Sequence, residues 1–169
     1  DMTLSGYRAG EAEAVAGGSV DLSHRSDGCG AASVKSDSRL KFQMINGQMT
    51  YNYDLPNDGK ETVYPLNMGD GSYVFRIMEN VGEDKYTELW RSSQTVSLTD
   101  EFQPFIRPNQ FVDYTPSSNC VAKARELASH CDSDLEVASA VYDYIVSNVK
   151  YDYDEAETEI DNLENQFGE

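Results

Sequence analysis

This 169-residue chain is short of basic residues, holds only two histidines and contains no long apolar run. Thirteen Lys and Arg stand against 30 Asp and Glu, a formal net charge of -17. That balance repels phosphate backbones and anionic lipid surfaces, which removes nucleic acid from the expected partners. No run of about 18 apolar residues occurs, so no membrane insertion by this chain is expected. No basic-then-apolar leader opens it either, and the start at Asp1 with Met2 behind it suggests a mature start and leaves open an upstream leader that has been removed. The three cysteines, Cys29, Cys120 and Cys131, show no CxxC or other metal-ligand spacing, and only His24 and His130 supply imidazole. The expectation is no metal, no cofactor, and at most one internal disulfide with one thiol left over.

What is present is enough apolar material to fold. Hydrophobic residues make up 39% of the chain, including 11 Tyr and 6 Phe, which offsets chain entropy over most of its length. Residues 1–18 are rich in small residues without apolar periodicity and read as a flexible or loosely attached N-terminus. From Ser19 short runs alternate apolar and polar residues, the period of a strand with one wet and one dry face. Leu40, Phe42 and Met44, then Asn46-Gly47, then Met49, Tyr51, Tyr53 and Leu55 predict a hairpin, with Asn-Gly as the two central residues of a primed turn, both at positive φ. The run Tyr73–Met78 is apolar on both faces and predicts a central strand packed on both sides. Further strands are expected at 19–22, 31–34, 61–66, 85–90 and 95–98. Their spacing predicts an immunoglobulin-like β-sandwich over 19–103.

Pro104, Pro108 and Pro116 punctuate a connector over 104–116, after which the period becomes helical. Cys120, Ala124, Leu127 and Cys131 form one stripe; Ser133 and Glu136 form a capping box; and Leu135, Ala138, Val141, Tyr142, Ile145 and Val149 form the apolar face of a second helix. Val149–Tyr153 reads as a short extended segment. The fold class is thus mainly β with α, a sandwich followed by a helical pair. An acidic tail over 154–169 closes the chain; from Asp152 to Glu169 it holds eight acidic residues and no Lys or Arg.

Candidate chemistry is sparse. In His130-Cys131-Asp132, neighbours on a helix point about 100° apart, so the thiol reads as structural. His24 could meet Cys29 across a turn, with no orienting third group in view. Asp152 and Asp154 fail the EF-hand template, because its required Gly falls on Glu157 and its final Glu on Leu163. Gly69-Asp-Gly71 reads as a β-turn, since no Lys-Ser or Lys-Thr follows. Tyr51, Tyr53, Tyr64, Tyr73 and Tyr86 read first as core or cross-strand residues and second as a carbohydrate or peptide surface.

The segment Tyr142-Asp-Tyr-Ile-Val-Ser-Asn-Val-Lys-Tyr-Asp-Tyr153 resembles the helix that opens the core of transglutaminase-like domains and ends in an N-x-K-Y-D stretch. Met49–Leu55, Tyr64-Pro-Leu66, Gly69–Tyr73, Arg76–Asn80 and Pro104–Val112 look like the β domain that precedes that core in exported bacterial members. The resemblance covers roughly residues 38–155. It implies an extracellular or cell-surface protein whose papain-like core uses Cys, His and Asp on peptide or protein amides. The Cys-bearing helix of that core would lie beyond the segment matching Tyr151-Asp-Tyr153. On that reading residues 117–153 are the helical start of a core. No catalytic, cofactor-binding or metal residue is expected within this chain, and the exposed helical pair offers a route to self-association. The competing expectation is a cell-surface adhesion or ligand-binding sandwich with no enzymatic activity.

Overall fold

The computed structural model describes residues 8–154. The chain forms two compact units, Asp1–Thr115 and Pro116–Glu169. The first contains eight strands: β1 (Ala12–Val15), β2 (Gly18–Asp21), β3 (Cys29–Val34), β4 (Leu40–Asn46), β5 (Met49–Leu55), β6 (Thr62–Pro65), β7 (Gly71–Gly82) and β8 (Lys85–Val96). They make two four-stranded sheets of order β1-β2-β3-β6 and β5-β4-β7-β8, antiparallel throughout. The chain is thus mainly β, with the expected sandwich and helices.

Alternation explains which side of each strand is dry. Leu40, Phe42 and Met44 of β4 and Tyr73, Phe75 and Ile77 of β7 meet Val20, Ala32, Val34 and Tyr64 from the other sheet in one buried cluster. The Phe42 ring stacks on Phe75 at 6.0 Å and meets Tyr64 edge-on at 5.0 Å, so this trio joins the sheets. The Tyr64 hydroxyl then donates to the Asp54 carbonyl on β5 at 3.0 Å, across the sandwich.

The opposite face of β5-β4-β7-β8 differs from the sequence expectation. Strand β7 is central, between β4 and β8, yet Val74, Arg76 and Met78 are only partly buried. A polar ladder explains it: Gln43 donates to Asn52, Arg76 donates to Gln43, and Arg76 also pairs with Glu88. These groups keep their hydration on a wet face, so apolar content on both sides of β7 did not mean cover on both sides.

Three other elements depart from expectation. The β4–β5 register pairs Asn46 with Met49, so Gly47-Gln48 are the central residues of the turn rather than Asn46-Gly47. Gly47 has φ +60 and Gln48 is not among the positive-φ residues, the signature of a type II′ turn. Asn46 instead uses its amide to hold the carbonyls of Met68 and Asp70. The two strands expected at 85–90 and 95–98 are one strand, β8, in which Leu89 is the extra residue between the pairs Ile77↔Trp90 and Met78↔Glu88. That bulge flips the alternation and hides the continuity. Within the stretch read as flexible, residues 12–15 pair with β2, with side chains mostly exposed. Buried Asp21 anchors this hairpin by accepting the Gly10 and Ser23 amides and the Ser23 hydroxyl.

A one-turn helix, α1 (Gln103–Ile106), begins the Pro-containing connector and buries Pro104. In the second unit α2 (Asn119–Ala128) and α3 (Asp134–Asn148) form the expected pair. Ser133 caps α3 through the Glu136 amide, while the Glu136 carboxylate accepts the Asp132 N–H. Helix α2 ends before Cys131, so the stripe drawn from Cys120 to Cys131 is cut short. The partly buried side of α3 is Val137, Ala140, Val141 and Tyr144, with Lys123 of α2 over the Tyr144 ring at 5.4 Å. The predicted apolar face is therefore turned by part of a turn; most of it is exposed. Val149 is extended but pairs in no strand among the described residues. Residues 155–169 of the acidic tail, and 1–7, lie outside the described residues.

Phe42→Ala should cost about 3–5 kcal/mol, as expected for a buried Phe truncated in a core that cannot collapse. Tyr64→Phe should cost only about 0.5–1.5 kcal/mol, because Gln110 still satisfies the Asp54 carbonyl. Urea midpoints with unchanged slopes check both values.

Candidate functional site

Two places in the first unit bear on the candidate chemistry. One is the tight turn after β2, a single 3-10 turn over Arg25–Asp27 closed by Gly28 at φ +80. Gly28 is required there twice, by its dihedral and because a Cβ would lie 2.7 Å from the Pro104 ring. The turn is tied to the rest by the Thr99 amide and hydroxyl on the Ser26 carbonyl, and by the Leu66 amide on the Gly28 carbonyl.

This turn does bring His24 and Cys29 together, and it supplies the third group the sequence did not reveal. His24 Nδ1 lies 2.9 Å from Asp27 Oδ2. Cys29, however, directs its Sγ to the His24 backbone carbonyl at 3.9 Å, and its N–H meets the same oxygen at 3.3 Å. The thiol is 2% exposed, and burial pushes its pKa up to about 11, against the opposing pull of Arg107 and with Asp27 and Asp21 adding to the rise. A nucleophile needs the thiolate, and here burial disfavours it. The cluster is a folded corner carrying a protonated thiol.

The second place is an open groove of ≈ 400 Å³ between β6 and the connector. Pro56, Lys60, Glu61, Thr62 and Val63 line one side, and Pro108, Asn109, Gln110 and Asp113 the other. Gln110 builds it: its N–H donates to the Val63 carbonyl at 2.9 Å, and its Nε2 reaches the Asp54 carbonyl at 2.5 Å. One residue thus bonds to both sheets, through its backbone on β6 and its side chain on β5. Asn109 shapes the bend, its carboxamide oxygen accepting the Phe111 and Val112 amides. The groove offers an ammonium, two carboxylates and carboxamide groups, a lining suited to holding a polar or peptide-like ligand. In the sequence the prolines mark only an interruption; the signal for the groove is Asn109-Gln110 directly after Pro108.

The remaining candidates are structural. Cys131 Sγ donates to the Leu127 carbonyl, His130 N–H to the same carbonyl, and Asp132 N–H to Glu136, so His130-Cys131-Asp132 closes α2 and opens α3. All three cysteines are free thiols. Gly69-Asp-Gly71 is a turn, with Gly69 at φ +74 and Asp70 Oδ1 accepting the Leu98 N–H. Tyr53, Tyr64 and Tyr73 are core residues, each with its pKa raised by burial, to about 12 for Tyr53. Tyr51 is exposed and Tyr86 sits under Lys41 Nζ at 4.4 Å. Among the described residues no group of three or more His, Cys, Asp and Glu is placed to hold a metal ion, and no helix is long and apolar enough to cross a membrane. No family model, curated protein or solved structure matches the chain.

Burial of Cys29 makes stability depend on alkaline pH. Between the ordinary thiol range near 9 and about 11 the unfolded chain loses a proton that the folded chain keeps, so stability falls as pH rises through that window. The tyrosines add to the fall above about 10. Urea midpoints at pH 8 and about 10.5 should differ less in Cys29→Ala than in the parent chain. Equal pH sensitivity in both would remove Cys29 as its source.

Proposed function

We propose that this chain is the non-catalytic front of a secreted or cell-surface transglutaminase-like cysteine protein acting on peptide or protein amides. In this reading the sandwich is a positioning or spacer module, and α2–α3 are the first piece of a core completed by further chain. The observation that carries it is an apolar face of α3 that is exposed among the described residues. Leu135 is 80% exposed, Tyr142 66% and Ile145 50%, with Val146 and Val149 exposed beside them. A contiguous apolar helix face left in water is a surface built to be covered. All of these but Leu135 lie in the Tyr142–Tyr153 stretch that resembles the opening of a transglutaminase-like core. Burial of the Cys29 thiol fits a front piece that does no chemistry itself.

A second reading, a cell-surface ligand-binding module without enzymatic activity, draws on the groove between β6 and Gln110. The two separate cleanly. Reading the gene past the codon for Glu169 should show a Cys followed by His and Asp within roughly one further domain length. In the chain so extended, α3 amides should exchange more slowly than in the 169-residue chain. A stop codon, or a second sandwich in place of that triad, would sink the enzymatic reading and leave the groove as the functional surface.

A further inference from the structure

Two open sheets leave four strand edges, and each is protected to a different degree. Strand β1 carries Glu13, β8 carries Lys85, Glu88 and Arg91, and β6 is met by Gln110. Charges and covering groups are the usual protection against strand addition. Strand β5 has neither along Met49–Tyr53, which contains no Asp, Glu, Lys or Arg in a chain of net charge -17.

The backbone of β5 defines what its edge can do. A two-residue turn makes Asn46 and Met49 a hydrogen-bonded pair, so Met49, Tyr51 and Tyr53 turn their backbone groups toward β4. Thr50, Asn52 and Asp54 turn theirs outward. At Asp54 the outward carbonyl is taken by the Tyr64 hydroxyl and Gln110 Nε2. The outward N–H and C=O of Thr50 and Asn52 meet no group among the described residues. On the core-side face of the same stretch, Met49 is 48% and Tyr51 41% exposed. The rings of Tyr51, Tyr53 and Phe111 follow one another at 6.0 and 5.8 Å, and Phe111 is 68% exposed. An open backbone edge and an exposed apolar strip coincide.

We propose that β5 pairs with β5 of a second copy of this chain, antiparallel about a twofold axis through Tyr51. The two four-stranded sheets then become one of eight strands. Thr50 of each copy exchanges both backbone hydrogen bonds with Asn52 of the other, four bonds in all. Tyr51 faces its counterpart as a non-hydrogen-bonded pair, the position where side chains approach most closely. Met49 falls opposite Tyr53 of the second copy and near its Phe111, a favourable sulfur–aromatic setting. Gln48 falls opposite Asp54, so no like charges meet. The occupant is a second copy rather than a foreign strand because the strip is complementary to itself about one residue, as an isologous interface requires. It is also a neutral place where two strongly acidic molecules can approach. The contact is small and opposed by long-range repulsion, so it is a weak dimer that tightens with salt.

Sedimentation velocity of the full 169-residue chain over a wide concentration range, at low and high salt, tests this. The parent chain should show a monomer–dimer equilibrium that tightens in high salt. Tyr51→Lys and Tyr51→Glu, each at an exposed side chain, should weaken it at least about tenfold by placing like charges across the axis. An equimolar mixture of the two variants should restore dimers, which misfolded variants could not do. Thr50→Pro, which removes an outward N–H without touching the β4 ladder, should abolish them. Monomers at every concentration would overturn the proposal, as would a mixture that stays monomeric. A dimer indifferent to Tyr51 but lost in Ile145→Lys would overturn it too, because the contact would then lie on α3.

Discussion

The Tyr64 side chain is the interaction on which the sandwich depends. Its ring lies against Phe42 and Tyr53 of the opposing sheet, and its hydroxyl closes on the Asp54 carbonyl. An aromatic ring has few rotors to freeze and a large area to bury, so it fastens two sheets at low entropic cost. The polar tip would be a liability in a core if it lacked a partner, and the edge of β5 supplies one. These contacts join the two sheets at the β5–β6 end. At the other end the Trp90 indole N–H donates to Glu13 of β1, a bond in open solvent that contributes much less.

The groove follows from the same constraint. Because Gln110 holds the Val63 carbonyl as well as the Asp54 carbonyl it shares with Tyr64, the connector cannot drift from the sandwich without giving up a backbone bond on β6. Residues 108–113 are thereby held against β6, and the space between them remains open. The corner at His24–Cys29 is fixed as firmly, by Gly28 against Pro104 and by Thr99 on Ser26. Its thiol is kept protonated by the packing that makes the corner rigid.

Much of this was legible in the residues. The alternation in Leu40–Leu55 announces its hairpin, and Tyr73, Phe75 and Ile77 announce their buried face, because burial of every second side chain leaves a pattern that survives in sequence. The capping box at Ser133 does too, being a local arrangement. What sequence hid depends on distant partners. Asn46 behaves as a strand residue because Met68 and Asp70, more than twenty positions on, present carbonyls to it. Leu89 bulges against β7, and one extra residue is enough to make a single strand look like two. Arg76 marks a wet face only once Gln43 and Glu88 are known to flank it. The Asp27 carboxylate beside His24 and the grip of Gln110 on two sheets are likewise products of topology.

The attachment of Gln110 also gives the sandwich a direction under load. Chain leaving the first unit at Thr115 is fastened five residues earlier to one carbonyl on each sheet. A pull on that end therefore divides between β5 and β6 instead of stripping one strand from its sheet. The Phe111 ring, packed on Tyr53 at 5.8 Å, lies between Thr115 and Gln110 and shares the load with them, so the module resists tension from that side as a pair of sheets rather than as a single seam.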